Sequence, residues 1–293
     1  MAGLYIHIPF CKKACTYCDF HFSTRLENVN PVLHAMHLEL AYWREHWPLR
    51  ELDTIYFGGG TPSLLNEKQI AALFEEIRKH FSIRNQAELT LEANPEDITM
   101  NRVKHWKSLG VNRLSIGLQA FQDEILGWMN RAHNAQEAYD SVRLAHSAGI
   151  ENISVDLIYG IPGLEMDTWK KNIDRVLELP IQHISCYALT VEEKTVLDHQ
   201  VKKAQVEMPN DEEVNLQFDY LGERLEKEGF EHYEISNLGR PGYFSRHNSN
   251  YWNRIPYLGI GPSAHSFLNE QRWFNPRNNH EYMRMWEEKT PRF

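Results

Sequence analysis

The chain has 293 residues, of which 42% are apolar and 24% are charged, and it contains only 16 Gly and 13 Pro. This composition excludes collagen-like, low-complexity and largely disordered proteins. With 31 basic and 40 acidic residues the formal charge is −9, which is the wrong sign for a dedicated nucleic-acid-binding protein.

Short β-branched and aromatic runs alternate with longer amphipathic stretches about six times, a pattern typical of βα units and a parallel sheet. The predicted strands cover residues 4–8, 54–57, 88–92, 113–117, 153–158 and 183–189. The predicted helices between them cover residues 31–47, 67–81, 100–108, 135–147 and 166–179. The unusual residues of the chain follow the strands, where parallel α/β folds place their functional loops.

The pattern changes after about residue 205. A charged helix is predicted over residues 211–228, and a segment rich in Tyr, Trp, Gly and Asn follows up to residue 280. We therefore divide the chain into a βα region over residues 1–205 and an appended region over residues 206–293. The sequence has neither an apolar run of ~20 residues nor a secretory leader, so we expect a cytoplasmic protein.

Three of the four cysteines, Cys11, Cys15 and Cys18, lie on the loop after the first predicted strand. Their Cys-x3-Cys-x2-Cys spacing favours a metal site over a disulfide framework. A structural zinc usually takes four ligands from two Cys-x2-Cys pairs; a second pair is absent from the sequence, although His7 or His21 could supply a ligand. An iron–sulfur cubane held by three thiolates leaves one iron open to a substrate or cofactor. The remaining alternatives are a catalytic zinc with three protein ligands and ordinary buried thiols.

The run from Tyr5 to Cys18, YIHIPFCKKACTYC, resembles the cluster motif of the radical S-adenosylmethionine (SAM) superfamily, in its oxygen-independent coproporphyrinogen III oxidase-like branch. The dehydrogenases of that branch carry another Cys two residues after the third, where this chain has Phe20. The run from His247 to Trp252, HNSNYW, is similar to the His-Asn-x-x-Tyr-Trp motif associated with heme binding in the heme chaperones of that branch. By both marks the chain most resembles the heme chaperones.

The resemblance implies a partial (β/α)6 TIM-like barrel with an appended C-terminal α+β region, from which the small helical C-terminal domain of the family is expected to be missing. It implies a [4Fe-4S] cluster on Cys11, Cys15 and Cys18, with SAM on the fourth iron. The positions that match SAM contacts of the family are Tyr5, Tyr17, Gly59, Gly60, Thr61, Glu92, Gln119, Arg131 and Asp156.

These residue types suit SAM chemically. Glycines let a backbone approach a ligand closely, the carboxylate of Glu92 can accept hydrogen bonds from both ribose hydroxyls, and Arg131 can pair with the methionine carboxylate. Taken singly, each has an ordinary alternative, since the glycine run could be a turn, Arg131 a surface charge and Asp156 a solvated acid.

The resemblance assigns heme contacts to His247, Asn248, Tyr251 and Trp252. Heme iron takes a neutral imidazole as an axial ligand, aromatic faces can cover the macrocycle, and Arg246 or Arg254 could meet a propionate. The alternative is that His247 is a hydrogen-bonded histidine that packs the appended region onto the barrel. His265 is a second candidate ligand.

The implied function is that of a heme chaperone, which holds heme and a SAM-liganded [4Fe-4S] cluster and delivers heme to a hemoprotein acceptor. The alternatives are an anaerobic coproporphyrinogen III dehydrogenase, which uses a SAM-derived radical for oxidative decarboxylation, and a paralogue with neither activity. The expected cofactors are the cluster, SAM and heme. The expected partners are the heme acceptor and an electron donor for the cluster, with neither nucleic acid nor a transmembrane segment; peripheral membrane contact stays open.

Overall fold

The structure is a computed structural model that describes residues 2–291. Residue 1 of the predicted βα region and residues 292–293 of the predicted appended region lie outside the described residues. Six strands form the centre of the fold: β1 (Gly3–Ile8), β2 (Glu51–Gly59), β3 (Ser82–Ala93), β4 (Arg113–Gln119), β5 (Asn152–Tyr159) and β6 (His183–Ala188). The helices that connect them are α1 (Val29–His46), α2 (Glu67–His80), α3 (Met100–Ser108), α4 (Asp123–Trp128), α5 (Ala135–Ser147) and α6 (Met166–Leu177).

The rest of the chain forms α7 (Val196–Lys202), α8 (Asp211–Glu226), β7 (Glu231–Glu234), β8 (Asn237–Gly239), α9 (Arg246–Trp252), β9 (Tyr257–Ile260), β10 (His265–Leu268), β11 (Gln271–Phe274) and α10 (Asn279–Glu287). Short 3-10 helices cover Leu26–Asn28, Pro62–Leu64 and Pro95–Asp97. Each predicted strand and helix is present, with ends that differ by a few residues.

Strands β1 to β6 pair in parallel in chain order, and each is mostly buried. Burial on both faces is why they read as near-continuous apolar runs in the sequence. Helix α2 shows how a connecting helix forms: a reciprocal Asn66–Gln69 capping box begins it, and Leu73 and Ile77 bury its apolar side. The predicted partial (β/α)6 barrel is confirmed, and within the described chain β1 and β6 do not pair with each other.

The appended region extends the same sheet at both edges. Strand β8 pairs antiparallel with β6, and β7 pairs with β8, whereas β9 pairs in parallel with β1 and leads to the antiparallel strands β10 and β11. The chain passes from one edge to the other through α9, next to Gly3 and Thr54 near the amino-terminal ends of β1 and β2. The division at residue 205 therefore stays a prediction, because both regions share one sheet. Within residues 2–291, we find no helix that is both long and apolar enough to cross a bilayer.

A buried carboxylate joins the appended region to the first helix. Glu39 on α1 accepts hydrogen bonds from the Gly261 backbone N–H (2.8 Å), the Asn275 side-chain amide (2.7 Å) and the Tyr282 hydroxyl (2.5 Å). Burial raises the pKa of Glu39 to about 7, although these donors act in the opposite direction. The contact therefore holds α10 and the turn after β9 against α1 with a carboxyl group that is hard to ionise.

We expect Glu39→Gln to change how stability depends on pH. The folded chain holds the Glu39 proton more tightly than the unfolded chain, where the pKa is about 4.3, so the stability that this group contributes falls as pH rises from about 4 to about 7. As pH rises through this range, the unaltered protein should lose roughly 2–4 kcal/mol of unfolding free energy that the Glu39→Gln variant does not lose. Urea unfolding at pH 5 and pH 8 measures the difference. Glu45→Gln, an exposed change on the same helix, is the control, and an equal pH response in both variants would contradict the prediction.

Candidate functional site

A cavity of about 400 Å³ lies at the carboxyl-terminal ends of the barrel strands. Parallel pairing brings the loops after all six strands to this end of the sheet. The predicted residues that line the cavity are Cys11, Cys15, Tyr17, Cys18, Gly59, Gly60, Thr61, Glu92, Gln119, Arg131 and Asp156. Residues separated by up to 145 positions in the chain (156 − 11) thus meet at one site.

The three cysteine side chains are half-buried in the wall of this cavity. The Thr61 hydroxyl donates a hydrogen bond to Cys11 Sγ at 3.4 Å, and the Arg131 guanidinium donates to Cys15 Sγ at 3.5 Å. Burial raises the pKa of the Cys11 thiol to about 11 and that of Cys18 to about 12. These thiols are therefore protonated at neutral pH by themselves, and a bound metal centre would hold them as thiolates.

The described residues do not form a ligand set for a single metal ion. In residues 2–291, no three Cys, His, Asp or Glu side chains surround a point at which one metal ion could be held. A mononuclear zinc needs three or four ligands around one ion, whereas each thiolate of a cubane binds a different iron. The proposed extra zinc ligands are also engaged: the ring of His7 contacts the Tyr5 hydroxyl and the His21 carbonyl, and His21 Nε2 contacts Asn279. The zinc alternative is therefore not supported.

The glycines after β2 leave room for the cysteine loop. A Cβ on Gly60 would lie 2.7 Å from the Phe10 carbonyl oxygen and 3.0 Å from Cys11 Sγ. Gly59 has φ +107°, a conformation that side chains rarely adopt, and a Cβ there would lie 2.8 Å from the His7 ring. The glycine run is thus required by close packing between the loops after β1 and β2, which a simple turn would not demand.

Arg131 ties three loops together below the cysteines. Its guanidinium donates to Asn94 Oδ1 at 2.8 Å and to the Gly117 carbonyl at 2.9 Å, in addition to Cys15 Sγ. Its side chain is partly buried in the cavity wall and has several partners, so it is not a solvated surface group. Gln119 follows in a left-handed conformation, φ 68°, where the register between β4 and β5 shifts. This bulge places Gln119 in the cavity wall.

Sequence reasoning missed several residues that support this wall. Asn94 holds Arg131, and Ser115 donates to Asp156 Oδ1 at 3.1 Å. The buried His133 contacts the Leu118 carbonyl through Nε2 at 3.2 Å, beside the bulge at Gln119. Asn94 directly follows β3, so its position could have identified it, whereas Ser115 lies within β4. The role of His133 depends on a fold of the loop that the sequence does not reveal.

Two carboxyl groups lie in the cavity without an ion pair among the described residues. Tyr56 donates a hydrogen bond to Glu92 at 2.8 Å. Burial raises the pKa of Glu92 to about 8 and that of Asp156 to about 6. A cationic ligand in the cavity would favour the ionised forms of both groups, because an opposite charge nearby lowers the pKa of an acid.

Two parts of the predicted site lie outside the cavity. Tyr5 is on β1, below it, with its ring 6.1 Å from that of Tyr56 and its hydroxyl 3.1 Å from His7 Nδ1. The HNSNYW segment forms α9 at the opposite end of the barrel, where His247 lies beside Gly3. The five residue-to-residue steps from Gly3 to Ile8 along β1 correspond to about 16 Å, so this segment and the cysteines are well separated.

His247 is buried and fully hydrogen-bonded. Its Nδ1 is 2.8 Å from the Thr54 hydroxyl, its Nε2 is 2.9 Å from the Tyr251 hydroxyl, and its backbone N–H donates to Glu88. Burial lowers the pKa of His247 to about 3. An iron could bind this imidazole only after one of the two ring contacts had broken. Of the other residues predicted for heme, Asn248 and Tyr251 are partly buried and Trp252 is 65% exposed. Heme contact by this segment stays a prediction.

Comparison with known proteins agrees with the geometry. The chain matches the sequence model of the Radical SAM superfamily over residues 5–176, more than half of its length. It is 35% identical over 280 residues to the heme chaperone HemW of Lactococcus lactis, which covers 96% of this chain and 73% of that protein. It is 35% identical over 277 residues to the HemW of Bacillus subtilis, with 94% and 73% covered. The structure of coproporphyrinogen III oxidase (HemN) from Escherichia coli superimposes with a TM-score of 0.87 at 23% identity and covers 98% of this chain and 69% of that chain.

The fold, the cysteine-lined cavity and the family match define a radical SAM protein. Within that superfamily, the chain belongs to the HemW family. The family implies a [4Fe-4S] cluster and SAM, and the three thiols, the close-packed glycines and the two unpaired carboxyls of the cavity fit these groups.

We expect Gly60→Ala to impair cluster assembly. The new methyl group would push the cysteine loop away at the Phe10 carbonyl and Cys11 Sγ. Iron and sulfide content after anaerobic reconstitution should fall well below that of the unaltered protein. Gly127→Ala on α4 is the matched control, since a Cβ there meets nothing within 4 Å. Equal cluster content in Gly60→Ala and the unaltered protein would show that the loop adjusts.

Proposed function

We propose that this protein is a heme chaperone that carries a [4Fe-4S] cluster on Cys11, Cys15 and Cys18 and binds SAM beside it. The observation that carries the proposal is the sequence relation to proteins named heme chaperone HemW over 94–96% of the chain. The cavity supports it, because eleven of the twelve residues predicted for cluster and SAM line it, Tyr5 being the exception. The acceptor would be a hemoprotein, and an electron donor would reduce the cluster.

The residues of the cavity can be given tasks toward these cofactors. Bound cluster and SAM supply one-electron chemistry that protein side chains lack. Thr61 and Arg131 donate hydrogen bonds toward two of the cysteine sulfurs, which would stabilise negative charge on the thiolates. Glu92 offers a carboxylate for the ribose hydroxyls, and Arg131 offers a guanidinium for the methionine carboxylate. Gly59 and Gly60 leave backbone groups close to the ligand.

Two observations favour the chaperone over a coproporphyrinogen III dehydrogenase. Phe20 stands where the dehydrogenases carry another Cys, and it lines the mouth of the cavity with 68% of its surface exposed. The cavity of about 400 Å³ lies at the lower end of the range for ligand sites, 300–1,000 Å³. Cluster and SAM would share that volume, which leaves little room in it for a porphyrin.

The cluster assignment predicts an electron paramagnetic resonance signal. Anaerobically reconstituted, dithionite-reduced protein should show a [4Fe-4S]+ spectrum that changes when SAM is added, because SAM would bind the iron that has no protein ligand. Replacement of Cys11, Cys15 and Cys18 by Ser should abolish it. Cys186→Ser, at a buried position outside the cavity lining, is the control. A spectrum that does not change when SAM is added, or one that is still present in the triple variant, would contradict the assignment.

The chaperone assignment predicts heme binding without porphyrinogen turnover. Reconstituted protein titrated with hemin should develop a Soret band, and anaerobic incubation with coproporphyrinogen III, SAM and reductant should yield no protoporphyrinogen. Transfer of the bound heme to an apo-hemoprotein completes the test. Decarboxylated product in that incubation would favour the dehydrogenase, and absence of any Soret band would refute the chaperone.

A further inference from the structure

The hairpin of β10 and β11 presents an open face at the edge of the sheet. In this hairpin His265 pairs with Phe274, and Phe267 pairs with Arg272. Directly opposed residues of antiparallel strands point to the same side, so these four side chains share one face. Trp273 points the other way and packs on the tryptophans of α1 and the following turn. The shared face continues the inner face of the barrel, because Phe267 pairs with Tyr257 of β9 and Tyr257 pairs with Gly3 of β1, which faces His247.

This face carries a free imidazole beside an exposed aromatic ring. His265 is exposed, and no described residue forms a hydrogen bond with either of its ring nitrogens. The ring of Phe274 is 63% exposed and lies 5.4 Å from that of His265, at an interplanar angle of 35°. His247 differs from His265 in both respects, because its ring is buried and both of its ring nitrogens contact a hydroxyl group. An exposed ligand also suits a cargo that has to leave again.

The same face also carries a positive charge, two strand residues away from His265. Arg272 is exposed, and no ion pair engages it within residues 2–291. It stands opposite Phe267, two positions from His265 and therefore roughly 7 Å along the strand. The guanidinium of Arg254 lies 6.0 Å from the centre of the Phe267 ring and forms an ion pair with Glu270 in the turn of the hairpin. The positive charge that this face offers a ligand is therefore that of Arg272. A flat apolar ligand with acidic groups at one edge matches this layout.

The HNSNYW segment borders this face on the inner side of the barrel. Phe267 stacks on Tyr257 at 6.2 Å, Tyr257 contacts Tyr251 edge-on at 4.6 Å, and the Tyr251 hydroxyl lies 2.9 Å from His247 Nε2. His247 thereby fixes Tyr251, and the row of aromatic rings ends at Phe267 on the face of the hairpin. The motif can thus matter for heme binding without supplying the iron ligand.

We propose that heme docks on this face with His265 as an axial iron ligand, Phe274 against the macrocycle and Arg272 at a propionate. This site rests on the heme binding put forward under the proposed function. It lies next to the cysteine loop, since Arg277 and Asn279, shortly after β11, contact the Asp19 carbonyl and His21 respectively.

Hemin titration of the full, cluster-loaded chain tests the site. His265→Ala should raise the dissociation constant at least about tenfold, which is 1.4 kcal/mol, and alter the Soret maximum, and added imidazole should restore the original spectrum. His280→Ala, another exposed histidine, is the matched control and should leave the titration unchanged. Arg272→Gln and Phe274→Ala should each weaken binding, with the thermal midpoint unaltered because both side chains are exposed.

The possible outcomes distinguish an error in the proposed docking face from an error in the heme-chaperone proposal. Unchanged hemin binding by His265→Ala would overturn the site while the chaperone proposal stands. Loss of the Soret band in a folded His247→Gln variant, with His265→Ala unaffected, would likewise overturn it and return the iron ligand to α9. A lack of hemin binding by the unaltered protein would refute the proposed function and this site with it.

Discussion

The site depends on the parallel pairing of β1 with β2 in one particular register. Ile8 faces Gly59 at the ends of these strands, and the loop that follows β1 is then pressed against Gly60. The closeness of Gly60 to the Phe10 backbone and to Cys11 Sγ leaves no space for a side chain. The other strands add their loops to the same end, and Arg131 joins the cysteine loop, the loop after β3 and the end of β4 through Cys15, Asn94 and Gly117. A single sheet thus turns short, separate motifs into one cavity.

The two ends of the barrel have different tasks. The carboxyl-terminal end holds the cysteines, the carboxyls and Arg131 around a cavity. The amino-terminal end is covered by α9, whose buried His247 is held by Thr54 and Tyr251. Between them, Tyr56 donates to Glu92 on one side and lies 5.2 Å from the His247 ring on the other. The appended region therefore covers one end of the barrel as well as extending its sheet. Glu39 on α1 also accepts a hydrogen bond from Tyr282 on α10, which links the last helix to the first.

The sequence predicted much of the cavity because its signals are local. Cysteine spacing, a glycine run and polar residues directly after apolar strands can be recognised within a few residues of chain. Arg131 shows where this reasoning stops. Its neighbours in sequence suggest a surface residue, and only the tertiary fold makes it a partly buried cation with several partners. His133 was missed for the same reason, because the carbonyl that it contacts belongs to a bulge in β4.

By itself, the sequence determined the alternation of strands and helices, the superfamily and the three thiols that begin the site, because periodicity and motif spacing are properties of neighbouring residues. The tertiary structure decided which polar groups are free and which are engaged. His247 and His265 are both histidines in aromatic surroundings, yet one is buried between two hydroxyls and the other stands on an open sheet edge. That difference arises from contacts between residues far apart in the chain, Thr54 with His247 among them, and such contacts exist only once the sheet has formed.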